Sequence, residues 1–440
     1  MMQPSETKLG LRENTRQFWL LVLVNGFVGA MVGLERSVIP EFAETIFGIN
    51  GHTALLSFIV AFGLAKSGAN LSMGKLATKY TRRQLLLIGW LFALPVPWLL
   101  WYADAWWWVI FANLLLGINQ GLAWSATVVM KIDLVGEKNR GLAMGINEFA
   151  GYLAVGMVAF LAGYIASSTG EVTYAFIPGI AFSMIGLLLT VFLVRDTHSH
   201  VQTETKQTSI PLLRNIWKDT TWQHKNLGSV TLNGFVNNLN DGILWGLLPV
   251  LLSTKGYSLT ETGLLAGIYP IVWGLGQLVT GKLGDVLCKK QLLSMGMIIQ
   301  GVAIGLLLYA GSYPFLVAAL VILGAGTALV YPNFLSVVAE NTHPSQRAQS
   351  LGIFRFWRDF GYVAGAVAAG VFGDLFGLEA VILGTAILTV GAGLLSEYRM
   401  CCSKKLLWHS KECSTNFVKA ASPYPLKENK ATMTSVYVPS

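Results

Sequence analysis

Eight ionisable residues sit inside stretches otherwise apolar enough for hydrocarbon: Glu35, Arg36, Lys66, Glu148, Asp241, Arg355, Arg358 and Asp359. Each would cost roughly 2.5–3.5 kcal/mol at the centre of a membrane helix. Even halved, the sum is on the order of 10 kcal/mol, the scale of a whole domain's stability. Such groups must pair with one another or line a wet cavity. Asp241 and Glu35, then Glu148, are the candidates to carry a proton. Lys66 and Asp359 each lie about two turns from the same end of their runs, a spacing that suits a clasp between two helices. Arg355, four residues before Asp359, is the competing local partner, and Arg358 belongs to the same group.

Uncharged polar residues extend the pattern. Asn233, Asn237, Asn240, Asp241 and Trp245 fall at helical spacing and draw one polar stripe down an apolar run. Asn119, Gln120 and Trp124 mark a second run, and Tyr331 and Asn333 flank Pro332 in a third, where a kink is expected. Asparagines inside membrane helices also serve as glue between helices, so the stripe alone does not prove a binding surface. Other chemistries are excluded or unsupported. His52, His198, His200, His224 and His343 have no metal-ligand spacing, and there is no phosphate-cradling glycine loop or nucleophile–base arrangement. No cofactor is expected. Glu41, Glu44, Lys131, Asp133 and Lys138 read as a solvated rim. Cys288, Cys401, Cys402 and Cys413 read as reduced cytosolic thiols, with a metal site at His409 or acylation of Cys401 and Cys402 as alternatives.

The elements that must position these residues follow from composition. Of 440 residues 53% are hydrophobic and 12% charged, whereas soluble domains carry about 25% charged residues. The net charge is +8, but the basic residues sit in connectors, which excludes a nucleic-acid partner. No secretory signal is recognisable at the start. About 20 apolar residues span the hydrocarbon, and that ruler gives twelve runs. They lie near 18–39, 53–73, 84–103, 106–128, 142–166, 173–194, 228–252, 261–280, 291–311, 314–338, 351–376 and 378–398. The implied fold class is an all-α membrane protein. Residues 1–17 form an N-terminal segment, 18–194 and 228–398 two six-helix bundles, 195–227 a linker and 399–440 a disordered tail. With a cytoplasmic N-terminus, inner segments hold 26 of the 31 basic residues and outer loops only Lys255. Both termini are therefore expected in the cytoplasm. Trp106, Trp107 and Trp108 then fall at the outer interface.

The chain is written twice. GKLATKYTRRQ at 74–84 is answered by GKLGDVLCKKQ at 281–291, 207 positions later. Asn25-Gly26-Phe27-Val28 returns at Asn233-Gly234-Phe235-Val236, Arg140 at Arg347 and Gly145 at Gly352. A period near half the length marks a duplicated transport fold.

On these residues the chain resembles the major facilitator superfamily, whose loop Gly-x-Leu-x-Asp-Arg-x-Gly-Arg-Arg/Lys follows the second and eighth spans. The later copy keeps Gly281, Leu283, Asp285, Lys289 and Lys290; the earlier keeps Gly74, Leu76, Arg82 and Arg83 but has Thr78 for the aspartate. In the family this loop latches the two halves, so the resemblance implies a carboxylate latch at Asp285 only, near the start of the fifth span. It implies a cavity lined by spans 1, 4, 7 and 10, holding Glu35, Arg36, Asn119, Gln120, Trp124, Asn237, Asp241, Trp245, Tyr331 and Asn333. It also places spans two and eleven against each other across the half–half interface. Two departures speak against ordinary drug/proton antiport: Gly117 stands for the arginine of the fourth span, and residues 151–163 lack the proline of the antiporters' fifth. The expectation is a monomeric, proton-coupled secondary transporter in the lipid of a plasma (bacterial inner) membrane, moving a small solute by alternating access. Efflux of toxic compounds, or a transporter-fold receptor signalling through its tail, are the alternatives.

Overall fold

Inside hydrocarbon a backbone N–H has no partner except its own chain, so each apolar run closes into a helix. The computed structural model describes residues 7–408 except 37, 50, 258, 310, 403 and 404; for 36, 40, 51–56, 245, 246, 249, 250, 253, 254, 259, 260 and 263 it describes the backbone alone. Among the described residues ten helices are long and apolar enough to span a membrane. These are α1 (Thr15–Glu35), α3 (Arg82–Trp101), α4 (Trp106–Val135), α5 (Arg140–Thr169), α6 (Val172–Phe192), α8 (Leu264–Val286), α9 (Lys289–Tyr309), α10 (Tyr313–Glu340), α11 (Arg347–Phe376) and α12 (Leu378–Arg399). Two further helices, α2 (Gly51–Leu76) and α7 (Lys225–Thr254), complete the twelve expected from the sequence. Local chemistry sets the ends and breaks. Thr81 and Gln84 form a reciprocal capping box at the start of α3. Pro95 and Pro97 interrupt α3, whose two pieces are Arg82–Ala93 and Val96–Trp101. Gln120–Trp124 widens α4 into one π turn, an irregularity frequent at functional sites. α10 runs unbroken through Pro332.

The two halves pack alike. α1 lies on α5 as α7 lies on α11, and α2 lies on α4 as α8 lies on α10. Between halves, α2 meets α11 and α5 meets α8. Both crossings depend on glycines at equivalent places. A Cβ on Gly145 would strike the Gln277 carbonyl, and one on Gly352 the Asn70 carbonyl. Gly74 and Gly281 likewise press on Gln349 and Gly141. These contacts gather toward the end of the molecule that holds the two basic loops, called here the basic face.

That face differs from expectation in three ways. Lys131 and Asp133 are not rim residues but fully buried. The Lys131 ammonium donates to the Leu21 carbonyl, and Asp133 faces Arg82 at 3.2 Å and Arg347 at 3.6 Å while accepting from Thr197. A short chain-crossing charge network has drawn them in, which rim exposure would not allow. The start of the tail is ordered rather than formless. Cys288 N–H donates to the Lys405 carbonyl, and Gln291 bonds the backbone at Leu407 and Trp408. Cys288 and Cys402 are joined as a disulfide rather than left as free thiols, because this docking brings their Cα atoms to 5.8 Å. Cys413, His409 and the rest of the tail lie outside the described residues. The linker carries its own helix, His198–Gln207.

Candidate functional site

Glu148 lies eight residues into α5, and Arg355 lies eight residues into α11, each about 12 Å from its helix start. They occupy equivalent positions in the repeat, and they meet: Arg355 Nη2 is 3.5 Å from Glu148 Oε1. The same carboxylate oxygen accepts from Trp124 Nε1 at 3.2 Å and Asn147 Nδ2 at 2.7 Å. The π turn of α4 sets Trp124 on this face and Ser125 just beyond it. Arg355 donates to Ser125 Oγ, Ser125 donates to Asn70 Oδ1, and Asn70 donates to Asp359 Oδ2 at 2.7 Å. Asp359 closes the chain with Arg358 at 2.7 Å and Lys66 at 3.8 Å. One polar chain therefore runs from α4 and α5 across the interface to α11 and α2. Asp359's neighbour on its own helix is Arg358, whereas Arg355, at the i−4 spacing that suggested local pairing, is turned toward Glu148 instead.

An aromatic group lies beside this chain. Tyr152 and Trp273 approach to 4.3 Å between ring centroids, across the α5–α8 crossing. Tyr331 stands 5.0 Å from Trp273, and its hydroxyl pairs with that of Tyr152 at 2.9 Å. Tyr269 stacks on Trp273 at 5.9 Å and donates its hydroxyl to Asp241. Trp124 touches Tyr152 at 5.5 Å, and the Arg358 guanidinium lies 5.3 Å over the Tyr331 ring. The polar and aromatic groups are thus one contiguous, buried site at the middle of the interface.

Several expected residues point elsewhere. Asn119 donates to the Gly89 carbonyl and Gln120 to the Val28 carbonyl, so both tie α4 to neighbouring helices. The stripe on α7 divides. Asn233 donates to Ser396 and Asn240 accepts from Thr389, both on α12, while Asp241 turns to α8 and Asn237 is buried beside Asn238. Helical spacing placed these residues on adjacent positions, but a helix buried all round gives each flank its own neighbour. Asn333 donates to the Leu329 carbonyl and packs against Gly284, away from the aromatic group. Glu35 is buried on α1, and the side chains of Arg36 and Trp245 lie outside the described residues.

The loop residues make their contacts at the basic face. Asp285 accepts from the Gly141 and Leu142 N–H groups at 2.7 and 3.0 Å, at the start of α5. Arg82 with Asp133 and Lys289 with Glu340 are repeat-equivalent ion pairs, at 3.2 and 2.7 Å. Lys290 reaches Glu397 at 3.4 Å, and Arg83 donates to the carbonyls of Thr190 and Val191. Arg140 and Arg347, also equivalent, share Glu204 of the linker helix at 2.9 and 2.6 Å. Burial alone would raise the Glu204 carboxyl, but the hydrogen bonds and charge of Arg347, then of Arg140, hold it below its usual value. His224, buried at the entry to α7, is pushed down to about 4 by desolvation. A cavity of about 750 Å³ also opens at this face beside Arg12, Lys138 and Glu204, away from the central site.

Sequence reading missed Asn70, Ser125, Tyr152, Glu204, Tyr269 and Trp273. Part of the signal was present. The 207-residue offset makes Trp124 the counterpart of Tyr331, Lys66 that of Trp273, and Tyr152 that of Asp359.

Comparison with known proteins follows the same lines. A family model described as Major Facilitator Superfamily matches residues 18–225 and 230–407. The chain is 24% identical over 405 residues to the "Multi-drug resistance efflux pump PmrA" of Streptococcus pneumoniae, covering 87% of this chain and 94% of that one. It is 21% identical to the "Multidrug resistance protein MdtG" of Klebsiella pneumoniae, over 88% and 93% of the two chains. The crystal structure of the human organic anion transporter MFSD10 superposes with a TM-score of 0.73 at 15% identity, covering 90% of this chain and all of that one. At that identity the likeness is one of fold.

Proposed function

The chain belongs to the Major Facilitator Superfamily and is an integral membrane transporter, not an enzyme; from that premise we propose that it moves a small polar or amphiphilic solute by proton-coupled alternating access. One observation carries the reading. Five of the eight charges within the spans, Lys66, Glu148, Arg355, Arg358 and Asp359, are gathered where the two repeats meet, with Glu148 and Arg355 paired across the interface. A proton or solute that alters the charge there alters what holds the halves together, which is the differential interaction a two-state carrier needs. Asp241 and Glu35 remain the first candidates for the titrating carboxylate, and Glu148 the next. The contacts between halves lie toward the basic face, which suits a conformer open to the opposite side. The distribution of lysine and arginine supports a cytoplasmic basic face in a plasma membrane. The protein is proposed to act as a monomer.

The test is flux in proteoliposomes with and without an imposed pH gradient. Asp241→Asn should abolish gradient-driven accumulation. Wild-type accumulation by that variant would remove Asp241 as carrier, and indifference to the gradient would remove proton coupling. The efflux reading is favoured by one relative named as a multi-drug resistance efflux pump, another named as a multidrug resistance protein, and the aromatic group; drug export from cells would support it. The receptor reading rests on the docked segment after α12. Deleting Ser403–Ser440 supports it only where a cellular phenotype is lost while flux is kept.

A further inference from the structure

We propose that Cys402 is a site of thiol–disulfide exchange. Its bridge to Cys288 straps the segment after α12 onto the loop that carries the Asp285 latch, and reduction of the bridge loosens that latch. This goes beyond the transport reading, and its test needs no solute. The repeat shows what the strap replaces. Before α3, the Thr81 N–H donates to Gln84 Oε1 at 2.9 Å and the Gln84 N–H donates to Thr81 Oγ1 at 3.3 Å. The 207-residue offset puts Cys288 and Gln291 at those two positions before α9. Cysteine brings no hydroxyl and its sulfur is a weak acceptor, so the reciprocal box is lost there. The segment after α12 supplies the partners instead. The Cys288 N–H donates to the Lys405 carbonyl at 2.9 Å. Gln291 accepts from the Leu407 N–H at 2.6 Å and donates to the Trp408 carbonyl at 2.8 Å.

The same segment also reaches α7 and α12. Asn226, at the start of α7, exchanges hydrogen bonds with the backbone of Cys401, and Trp408 Nε1 donates to Glu397 near the end of α12. Leu287 pairs with Lys405 in a parallel β-bridge, and the disulfide joins cysteines 114 residues apart. Asp285, which accepts from Gly141 and Leu142 of the other half, stands on the last turn of α8, three residues before Cys288. Pinning Leu287 and Cys288 therefore holds the helix end that presents this carboxylate. Cys288 is fully buried and Cys402 partly exposed, so an incoming thiolate meets Cys402. A small thiol such as glutathione attacks Cys402 Sγ, the S–S bond breaks, and Cys288 leaves as a thiolate that takes up a proton. A second thiol attacks the small molecule's sulfur in the mixed disulfide, freeing Cys402 and departing as the oxidised small disulfide. Two small thiols thus give up the two electrons that the bridge gains. At a cytoplasmic face, the orientation proposed above, disulfides are transient and sense redox state.

The experiment equilibrates purified full-length protein in detergent with mixtures of glutathione and glutathione disulfide. Peptide mass spectrometry follows the Cys288–Cys402 bridge, and hydrogen exchange follows the backbone of residues 137–146 and 78–86. Reduction should open the bridge and speed exchange at Gly141 and Leu142 roughly tenfold, while residues 78–86, which keep their own cap, change less than about twofold. Cys288→Ser and Cys402→Ser should show the reduced pattern in every mixture, and Cys401→Ser should keep the wild-type response. A bridge that does not form in glutathione disulfide, or one that resists millimolar glutathione, would overturn the inference. So would exchange at Gly141 and Leu142 that ignores the opening of the bridge, or loss of the response in Cys401→Ser. Should a serine variant fail to fold, the wild type compared in its two redox states still decides.

Discussion

The α2–α11 and α5–α8 crossings are copies of one another in backbone and opposites in chemistry. Gly352 against Asn70 and Gly145 against Gln277 are equivalent contacts, and Gly74 against Gln349 matches Gly281 against Gly141 to within one residue. Where α2 and α11 place the Lys66–Asp359 ion pair, α8 and α5 place the Trp273–Tyr152 ring pair at the same repeat positions. Further toward the basic face the asymmetry reverses. Asp285 latches the start of α5, while its counterpart Thr78 bonds only to Lys75 within its own turn. Duplication fixed the places where helices touch, and divergence gave one crossing an ionic clasp and the other an aromatic one. An ion pair responds to a change of charge beside it, whereas stacked rings respond to shape and apolar surface. The difference gives the two crossings different sensitivities.

Breaking the ionic side should have the largest effect. Asp359→Asn removes the carboxylate that pairs with Arg358 and Lys66, a loss of roughly 3–5 kcal/mol for a buried pair. Thermal unfolding in detergent checks it, and Lys66→Asp combined with Asp359→Lys should restore at least half of the lost stability. Failure of the swap would show that Lys66 takes no part in the clasp.

Glu204→Gln should come next, at about 3 kcal/mol, because one carboxylate serves the equivalent guanidiniums of both halves. Its carboxyl is held below its usual value, so it binds fewer protons folded than unfolded. Its contribution is therefore complete above the unfolded carboxyl pKa of about 4.3 and is lost as pH falls through the folded value. Wild-type stability should drop on acidification below that point. The variant should lose that part of the drop and keep the loss that His224, pushed down to about 4, produces between about pH 6.5 and 4.

Gly145→Ala and Gly352→Ala sharpen the comparison by testing its shared part. Each added methyl meets a backbone carbonyl, so each should cost about 1–3 kcal/mol and by similar amounts. A large cost at one and none at the other would refute equivalence of the crossings. Tyr152→Phe should be the mildest change, about 1 kcal/mol, since it removes one hydroxyl pairing with Tyr331 and keeps the ring. Its stability should be as salt-insensitive as that of the wild type.

Twelve helices, two halves and the family were legible because lipid allows so few backbone solutions and because the 207-residue offset survives in glycines and basic loops. Glu35, Glu148, Asp241, Arg355, Arg358 and Asp359 were legible as buried charges for the same reason, each being too costly in hydrocarbon to pass unnoticed, whereas Lys131, Asp133 and Glu204 were not. The partners of the first six were not legible either. Arg355 sits at the right spacing to meet Asp359, yet it turns to Glu148, which lies 207 residues away in sequence and adjacent in space. Lys131 and Asp133 looked solvated near the end of a helix, but Arg347 of α11 and Thr197 cover Asp133, and Lys131 turns inward to the Leu21 carbonyl of α1. Tyr152, Tyr269 and Trp273 carry no sequence mark, since an aromatic residue in a membrane run fits lipid, core and cavity alike. Helical period and cost of charge act along one chain segment and can be read there. Which helix lies opposite, and so which side chain answers which, is set by packing between segments, and only the folded arrangement decides it.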